Sequence, residues 1–277
     1  MLQCSAQTTA MAFQSNSKRA KCLKILALSG LMLLSACQPQ SDDPARTDSK
    51  SVTQTKASAE QQGNFYLEAK TVVLKPTQAQ SCDESGCTRY QFQTVDTNQA
   101  WLNDYFKQRI EKSNPLAFTA TTAAHPQAND QNISQSSVVV RYMGQNQHIA
   151  SFELSTTEYS AGAAHGMYHN EYVNFDLKQK KRITVQDLTA EGATQKLTDA
   201  LYDHNSMWLS DHSIEREKLQ LSDNFYYGAD GLVFVYPLYE LASYAEGMSE
   251  LELPYYSTRD LIRTEYLPNL PQYPNAD

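Results

Sequence analysis

Apolar and polar residues alternate through most of the chain after residue 64, and this alternation predicts a protein built largely of β-strands. The pattern is clearest over 169–177, where Val173, Phe175 and Leu177 share one face and polar residues share the other. Such alternation is typical of a sheet with one buried face. Further strands are predicted over residues 65–75, 90–95, 138–142, 149–158, 225–228, 232–236 and 248–255.

Turn residues separate these predicted strands. Ala229-Asp230-Gly231 lies between two apolar runs and is a strong β-hairpin signal. The run 232–236 that follows it is apolar on both faces, which predicts a strand in the centre of its sheet. Residues 143–146 have turn composition and predict a second hairpin, between the strands 138–142 and 149–158.

Helical spacing appears in three places. A first helix is predicted over 97–112, a second over 193–208 and a short final one over 257–263. Thr184 and Asp187 have the spacing of a helix-capping pair. Because hairpin-like strands dominate over helices, we predict an α+β fold with a mainly antiparallel sheet and packed helices.

The first 36 residues have a different composition. Four basic residues precede the apolar run 25–34, and small residues follow it, which is the pattern of a secretory signal peptide too short to span a membrane. The ending Leu34-Ser35-Ala36-Cys37 resembles the bacterial lipobox, which implies cleavage before Cys37 and acylation of its thiol. The alternative is an ordinary signal peptide with a cysteine there by chance.

We therefore expect residues 1–36 to be a lipoprotein signal peptide and the chain to be lipid-anchored in the cell envelope. Position 38 is Gln rather than Asp, so the resemblance to lipoproteins of diderm bacteria implies the outer membrane where the cell has one. The anchor is then the only expected contact with a membrane.

Composition divides the remaining chain. Residues 37–63 contain almost no large apolar side chain and predict a disordered tether. We expect an N-terminal companion subdomain over 64–135, a C-terminal domain over 136–268 and a tail over 269–277.

The charge of the chain bears on its partners. Residues 1–36 carry four basic and no acidic residues, so their removal shifts the formal charge from −8 to −12. This argues against nucleic acid and anionic membrane surfaces as partners and favours a cationic partner. The basic run 178–182 is interpreted as a solvated turn rather than an anion site.

Two cysteines remain beyond Cys37. Cys82 and Cys87 are five positions apart around a glycine-containing turn, close enough for a disulfide, and disulfides persist in exported proteins. The alternative is half of a zinc site, but no second Cys or His pair has ligand spacing. We favour the disulfide.

The polar residues do not form a recognisable catalytic pattern. His165 and His169 would be a metal pair on a helix, but they lie on a predicted strand, so His165 is expected to satisfy backbone groups of a tight turn. Asp176, Asp187 and Glu240 are unpaired in sequence, and capping or solvated roles are favoured over acid–base roles. We expect no enzymatic activity, cofactor or metal.

Three segments, in this order, resemble the extracytoplasmic domain of the RsiV family, which occurs in the anti-sigma factor RsiV, the peptidoglycan deacetylase PdaC and other envelope proteins. The resemblance covers about residues 138–265, and residues 65–115 resemble more weakly the companion domain that usually precedes it. The three segments are 163–166 with 172–177, 181–188 and 231–247.

The resemblance implies a binding site. In RsiV this domain binds lysozyme, and a tyrosine-rich segment after the central strand contributes, which here corresponds to Pro237 and Tyr239 with Tyr244 nearby. Core and interface roles are equally supported for Tyr239 and Tyr244. The small-residue loop, with Ser160 and Gly162, is expected to enter a cleft from which bulkier chains are excluded.

The expected function is therefore that of an envelope lipoprotein with an RsiV-like domain that binds a lysozyme-type cationic protein, inhibiting or sensing it. The alternative is a non-catalytic module that binds peptidoglycan or a partner enzyme. A peptidoglycan hydrolase or deacetylase is the weakest hypothesis, because no catalytic constellation is present. Signalling to a sigma factor is not implied, since no anti-sigma segment is recognised.

Overall fold

The computed structural model describes residues 66–83, 86–120 and 133–268. The predicted signal peptide, Cys37, the tether 37–63 and the tail 269–277 lie outside these residues. The helices are α1 (Ala100–Ser113), α2 (Pro115–Phe118), α3 (Val185–Leu188), α4 (Thr194–His204) and α5 (Ser206–Asp211). The strands are β1 (Ala69–Val73), β2 (Gln80–Asp83), β3 (Gly86–Thr97), β4 (Ile133–Asn146), β5 (Ile149–Tyr159), β6 (Met167–Asp176), β7 (Lys181–Ile183), β8 (Phe225–Tyr227), β9 (Gly231–Tyr236) and β10 (Ser249–Pro254).

Seven strands form one sheet in the order β1-β3-β4-β5-β6-β7, with β2 also paired to β3. All its neighbours are antiparallel except β3 and β4, which run parallel. A parallel pair needs a long crossover, and here the connection contains α1 and α2. The predicted α+β class with a mainly antiparallel sheet is confirmed.

Strand β4 crosses the predicted boundary between residues 135 and 136. It pairs with β3 on one side through Cys87↔Ile133 to Gln93↔Val139, and with β5 on the other. The two predicted subdomains therefore share one continuous sheet.

Helix α1 packs on this sheet as its spacing predicts. Leu102, Phe106 and Ile110 are buried, and the Phe106 ring lies 4.9 Å from that of Phe152 in β5 and 5.8 Å from that of Phe175 in β6. Burial of each such side chain contributes about 1.5–3 kcal/mol. The inward face of β5 and β6 thus supplies the first core.

The second sheet has the order β10-β9-β8 and is fully antiparallel. Every residue of β9 is buried, which confirms the predicted central strand and its hairpin with β8. In β10, Leu251 and Leu253 are buried while Glu250 and Glu252 are exposed. This sheet and α4 enclose the second core.

Two predicted elements have other bounds than the sequence indicates. The turn predicted at 143–146 lies at residues 147–148, because a bulge between Tyr142 and Gly144 lets β4 continue to Asn146. The helix predicted over 193–208 is interrupted at Asn205, whose side-chain amide donates to the carbonyls of Leu201 and Glu252.

The helix predicted over 257–263 does not form. Ile262 instead makes an isolated bridge with Thr189, and the Arg263 amide donates to the Leu188 carbonyl at 2.9 Å. Pairing with the end of α3 therefore overrides the local helical pattern. The capping pair is confirmed, since Thr184 and Asp187 form a reciprocal capping box at the start of α3.

Cys82 and Cys87 are paired opposite one another in the β2–β3 hairpin and are joined by a disulfide. The bond closes the end of the hairpin and adds a covalent link to the short ladder between β2 and β3.

Candidate partner-binding surface

Two loops meet at one end of the β5–β6 hairpin. The small-residue loop, residues 160–166, joins β5 to β6, and the tyrosine loop, residues 237–248, joins β9 to β10. The Tyr244 hydroxyl donates to the Gly166 carbonyl at 2.7 Å. Because β9 is buried on both faces, the tyrosine loop leaves a rigid strand before it reaches the hairpin.

Four rings form the aromatic surface, which we define as His165, Tyr168, Tyr239 and Tyr244. Tyr244 lies at its centre: its ring stacks on His165 with centroids 4.1 Å apart and on Tyr239 at 5.8 Å. Tyr168 contacts the Tyr244 ring by its edge at 6.5 Å. Offset and edge-on pairs of this kind each contribute about 0.5–1.5 kcal/mol beyond burial. The rings therefore support one another rather than standing singly.

Tyr239 is both exposed and conformationally strained. Its side chain is 58% exposed, and its backbone φ is +69°, a region that residues other than glycine seldom occupy. A strained, bulky residue persists only where its surroundings fix it, and such residues cluster at binding sites. Four other non-glycine residues, Gln147, Lys180, Ser213 and Asp260, also have positive φ, so this backbone conformation places Tyr239 in a turn and does not by itself indicate function.

The tyrosine loop is fastened to α5 by a charged pair. Glu246 accepts from Ser243 in a capping box, and its other oxygen lies 2.6 Å from His212 Nε2. The His212 ring stacks on Trp208 with centroids 3.8 Å apart. The hydrogen bond with Glu246 raises the pKa of His212, and the same bond lowers the pKa of Glu246.

A glycine lets Tyr168 approach the tyrosine loop. Gly247 has φ +84° and ψ −162°, a conformation that essentially only glycine adopts. A Cβ atom there would lie 2.8 Å from the Tyr168 hydroxyl. Position 247 therefore requires glycine for its backbone and for the space that it leaves to Tyr168.

The structure brings together some of the residues singled out by sequence. Pro237 is half-buried where the tyrosine loop begins, and Tyr239 and Tyr244 lie in the aromatic surface. Ser160 and Gly162 are exposed in the small-residue loop, but that loop meets Tyr244 through His165 and Gly166. Ser160 also lines a separate hollow of about 320 Å³ beside β3 and β4.

His165 has the role that the sequence predicts and a second one that it does not. Its Nδ1 lies 3.0 Å from the Gly166 carbonyl, a hydrogen bond within the turn. The second role is its stack on Tyr244, whose ring Tyr168 also contacts. The local sequence could not predict these contacts, because the tyrosine loop lies far from His165 and Tyr168 along the chain.

Exposed carboxylates lie on the segments that carry the aromatic surface. Glu240 and Glu246 belong to the tyrosine loop, and Glu158 pairs with Met167 at the end of the hairpin. Exposed carboxylates on these segments favour a cationic partner over an anionic one.

The other carboxylates considered for acid–base chemistry have structural roles. Asp176 accepts from the amides of Lys178 and Gln179, and Asp187 caps α3. Across the described ranges no cluster of three or more His, Cys, Asp or Glu residues is arranged to hold a metal ion. Within those same ranges, none of the helices has the length and apolar character needed to cross a membrane.

An ion-pair network was not foreseen from the sequence. Glu171 in β6 bridges Arg109 of α1 and Arg182 of β7, and Arg182 also lies 3.2 Å from Asp223. The interpretation of 178–182 as a solvated turn is therefore wrong for Arg182. These residues are far apart in the chain, so no local pattern could reveal the network.

The fold is that of an α+β domain, and one part of the chain is similar to a known family. Residues 174–256 match the family model described as "Protein of unknown function (DUF3298)". The match includes β7 to β10 and the whole tyrosine loop, whereas His165 and Tyr168 lie before it. No curated protein matches the chain.

Two crystal structures share the fold. One is of a DUF3298 family protein from Pseudomonas aeruginosa PAO1, with a TM-score of 0.57 and 17% identity over 74% of this chain and 98% of that one. The other is of a DUF3298 family member from Bacteroides fragilis NCTC 9343, with a TM-score of 0.52 and 16% identity over 72% of this chain and 94% of that one. At this identity the likeness concerns the fold, so function has to be argued from the surface itself.

Proposed function

We propose that this protein is a cell-envelope lipoprotein whose RsiV-like domain binds a lysozyme-type cationic protein through the aromatic surface. The observation that carries the proposal is Tyr239, whose ring is 58% exposed and is stacked on Tyr244. The RsiV resemblance assigns lysozyme contacts to this same segment. Occupation of the lysozyme cleft would inhibit the enzyme. Contact outside the cleft would let the protein sense lysozyme without inhibiting it.

Aromatic anchors and surface charge would have separate roles in such a complex. Tyrosine is enriched among the residues that dominate binding energy, because a rigid ring buries a large area at little entropic cost. Exposed ion pairs contribute only about 0–1 kcal/mol each, but opposite net charges accelerate association. A chain with a formal charge of −8, or −12 after loss of residues 1–36, would attract a basic enzyme over distance.

The envelope location is supported by two independent features. The lipobox-like ending at Cys37 implies lipid attachment outside the cytoplasm. The Cys82–Cys87 disulfide belongs to the chemistry of oxidising compartments. Both agree with a lysozyme-type partner, which acts on the wall from outside.

The aromatic surface also favours a second candidate, a non-catalytic module that binds peptidoglycan. Exposed ring faces such as that of Tyr239 pack well against the apolar faces of sugar rings. This candidate is second because the exposed carboxylates Glu158 and Glu240 on the same segments give no preference for a neutral glycan.

Binding kinetics of the purified protein test the proposal. The protein is immobilised, and lysozyme is passed over it at two ionic strengths, beside a basic protein of similar size and charge and beside insoluble peptidoglycan in a sedimentation assay. We expect lysozyme to bind with an association rate that falls with salt, and the basic control to bind far more weakly. Absence of binding at micromolar lysozyme would refute the proposal, and sedimentation with peptidoglycan alone would support the second candidate.

A further inference from the structure

A cleft of about 460 Å³ lies between the two sheets. The β4–β5 hairpin contributes residues 143–146, Ile149 and Ser151 to its lining, and residues 226–229, Tyr255 and Pro268 complete it. Its volume is within the range of small-molecule binding sites. None of these residues belongs to the aromatic surface, so the cleft is a separate candidate site.

A β-bulge forms part of the wall of the cleft. The register between β4 and β5 shifts between Tyr142 and Gly144, and Gly144 has φ +141°, a conformation that favours glycine. Bulges redirect side chains and are frequent beside functional sites. The extra residue is Met143, which lines the cleft and is 52% exposed. The bulge therefore presents a large apolar side chain to a ligand.

Tyr226 lines the cleft with a ring that is already held in place. The ring packs on that of Tyr172 in β6, with centroids 4.5 Å apart, and its hydroxyl donates to Glu250 at 3.1 Å. Both supporting residues lie outside the lining. Because the ring is fixed before a ligand arrives, little conformational entropy is lost when the ligand packs against it.

The lining also contains polar side chains, and these are uncharged. They include the amides of Gln145 and Asn146 and the hydroxyl of Ser151, while no residue of the described lining carries a formal charge. The Ser151 hydroxyl donates to Asn174 at 2.7 Å, so towards a ligand it acts as an acceptor. A charged ligand would lose hydration without gaining a counter-charge, and a wholly apolar one would leave polar groups without hydrogen bonds.

We propose that this cleft binds a neutral oligosaccharide. A sugar ring has an apolar face of C–H groups, which packs on an aromatic ring such as that of Tyr226, and a rim of hydroxyls, which bond to amide and hydroxyl groups. Acetamido substituents on the sugar add methyl groups, for which Met143 and Ile149 offer apolar contacts. The site is separate from the aromatic surface, so it does not rest on the proposed contact with lysozyme.

Methionine-methyl NMR locates the ligand without altering the site. The purified protein carries ¹³C-methyl methionine, each resonance is assigned by replacing that methionine with leucine, and tri-N-acetylchitotriose is titrated in. Met143 lines the cleft, Met167 precedes Tyr168 of the aromatic surface in β6, and Met207 is 79% exposed in α5. We expect a saturable shift of Met143 alone. A larger shift of Met167 than of Met143, or no shift at millimolar oligosaccharide, would overturn the proposal.

A change in the charge of the ligand tests its class. Chitotriose has amines where tri-N-acetylchitotriose has acetamido groups, and both sugars are compared at one pH at which these amines are protonated. We expect the charged sugar to bind far more weakly, because the described lining offers no carboxylate to replace the lost hydration. Equal or tighter binding of the charged sugar would overturn the assignment of a neutral ligand.

Two substitutions then test the cleft itself. Ala229 lines the cleft and is exposed, so Ala229→Trp should fill part of the cleft and abolish measurable binding with the melting temperature unchanged. Ala100→Trp places the same side chain at an exposed alanine of α1, outside the lining, and should leave the affinity unchanged. Tyr226→Leu removes the aromatic face and should weaken binding about fivefold. Unchanged affinity in both the Ala229 and the Tyr226 variants would overturn the proposal.

Discussion

The phenol ring of Tyr244 stacks on the imidazole of His165 with 4.1 Å between the ring centroids. This contact joins the tyrosine loop to the tip of the β5–β6 hairpin, and the hydrogen bond from the Tyr244 hydroxyl to Gly166 reinforces it. Tyr239 then rests on Tyr244 at 5.8 Å. A preorganised surface of this kind loses less entropy when it binds a partner than a pair of independent loops would.

Substitution of Tyr239 should weaken lysozyme binding without affecting the fold. The ring is 58% exposed, so few intramolecular contacts are lost, whereas truncation of a tyrosine anchor at an interface costs about 2 kcal/mol or more, a roughly thirty-fold loss of affinity. We expect Tyr239→Ala to increase the dissociation rate and to leave the association rate nearly unchanged. Surface-based binding kinetics measure both rates, with circular dichroism as the folding control.

A second exposed tyrosine provides the comparison for this experiment. Tyr256 is 79% exposed and lies outside the aromatic surface, so Tyr256→Ala should leave the kinetics unchanged. Equal effects of the two substitutions, or no effect of Tyr239→Ala, would show that the aromatic surface is not the site.

Gly247 and Gly162 form a matched pair for a test of the loop geometry. Both have φ +84°, but a Cβ atom at Gly247 would meet the Tyr168 hydroxyl at 2.8 Å, whereas open space surrounds Gly162. Gly247→Ala should lower the free energy of unfolding by about 2 kcal/mol, because its backbone conformation is nearly exclusive to glycine. Gly162→Ala should cost about 1 kcal/mol or less.

Chemical denaturation measures these stabilities, and the ring resonances of Tyr168 report its position. We expect the resonances to move only in Gly247→Ala, because only that substitution displaces the Tyr168 hydroxyl. Unchanged Tyr168 resonances in that variant would contradict the close approach.

Sequence patterns predicted the strands better than they predicted the contacts between them. Alternation and hairpin chemistry are local properties, so β9 and its turn could be found directly. The assignment of Tyr239 to the binding site came from the resemblance to the RsiV family and not from local spacing. The stack of His165 on Tyr244 and the bridging of Arg109 and Arg182 by Glu171 depend on how distant segments pack, and no local spacing encodes them.

Local preferences also failed where tertiary pairing competed with them. Residues 257–263 have helical spacing, but Ile262 pairs with Thr189 instead. The turn composition of 143–146 was accommodated by a bulge, which moved the hairpin turn to Gln147 and His148.

Removal of the disulfide should lower stability moderately. The loop between Cys82 and Cys87 is short, so its closure stabilises the fold by about 2 kcal/mol at most in the chain-entropy description. We expect Cys82→Ser to lower the melting temperature by about 4–8 °C with the fold retained. Differential scanning calorimetry measures the shift.

The double substitution distinguishes loss of the disulfide from other effects. If the bond is the cause, Cys82→Ser with Cys87→Ser should be no less stable than either single variant, since one bond is lost in each case. Additive losses, or two reactive thiols in the oxidised folded protein, would contradict the assignment.

Lipid attachment should depend on Cys37. Because the lipobox-like sequence ends there, Cys37→Ala should abolish acylation, leave the precursor uncleaved and remove the mature protein from the membrane fraction. Cys22→Ala changes a cysteine before the apolar run and should alter none of these properties. Radiolabelled palmitate and cell fractionation provide the measurement, and normal processing of Cys37→Ala would refute the lipoprotein assignment.

The His212–Glu246 pair should make the anchoring of the tyrosine loop depend on pH. The pKa of His212 is raised from 6.5. The stabilisation of the folded state by its protonated ring is therefore complete below pH 6.5 and is lost as the pH rises through the raised value. The pKa of Glu246 is lowered from 4.5. The stabilisation of the folded state by its ionised carboxylate is therefore complete above pH 4.5 and is lost as the pH falls through the lowered value. The pair is therefore most stabilising between these two reference values.

Glu246→Gln tests this coupling and keeps the cap, because the amide oxygen of glutamine still accepts from Ser243. We expect the midpoint of the His212 titration, followed by imidazole NMR, to fall towards 6.5, since the neutral amide no longer favours the charged ring. If the titration midpoint of His212 is the same in both proteins, Glu246 does not stabilise the protonated ring of His212. The tyrosine loop is then not anchored by charge.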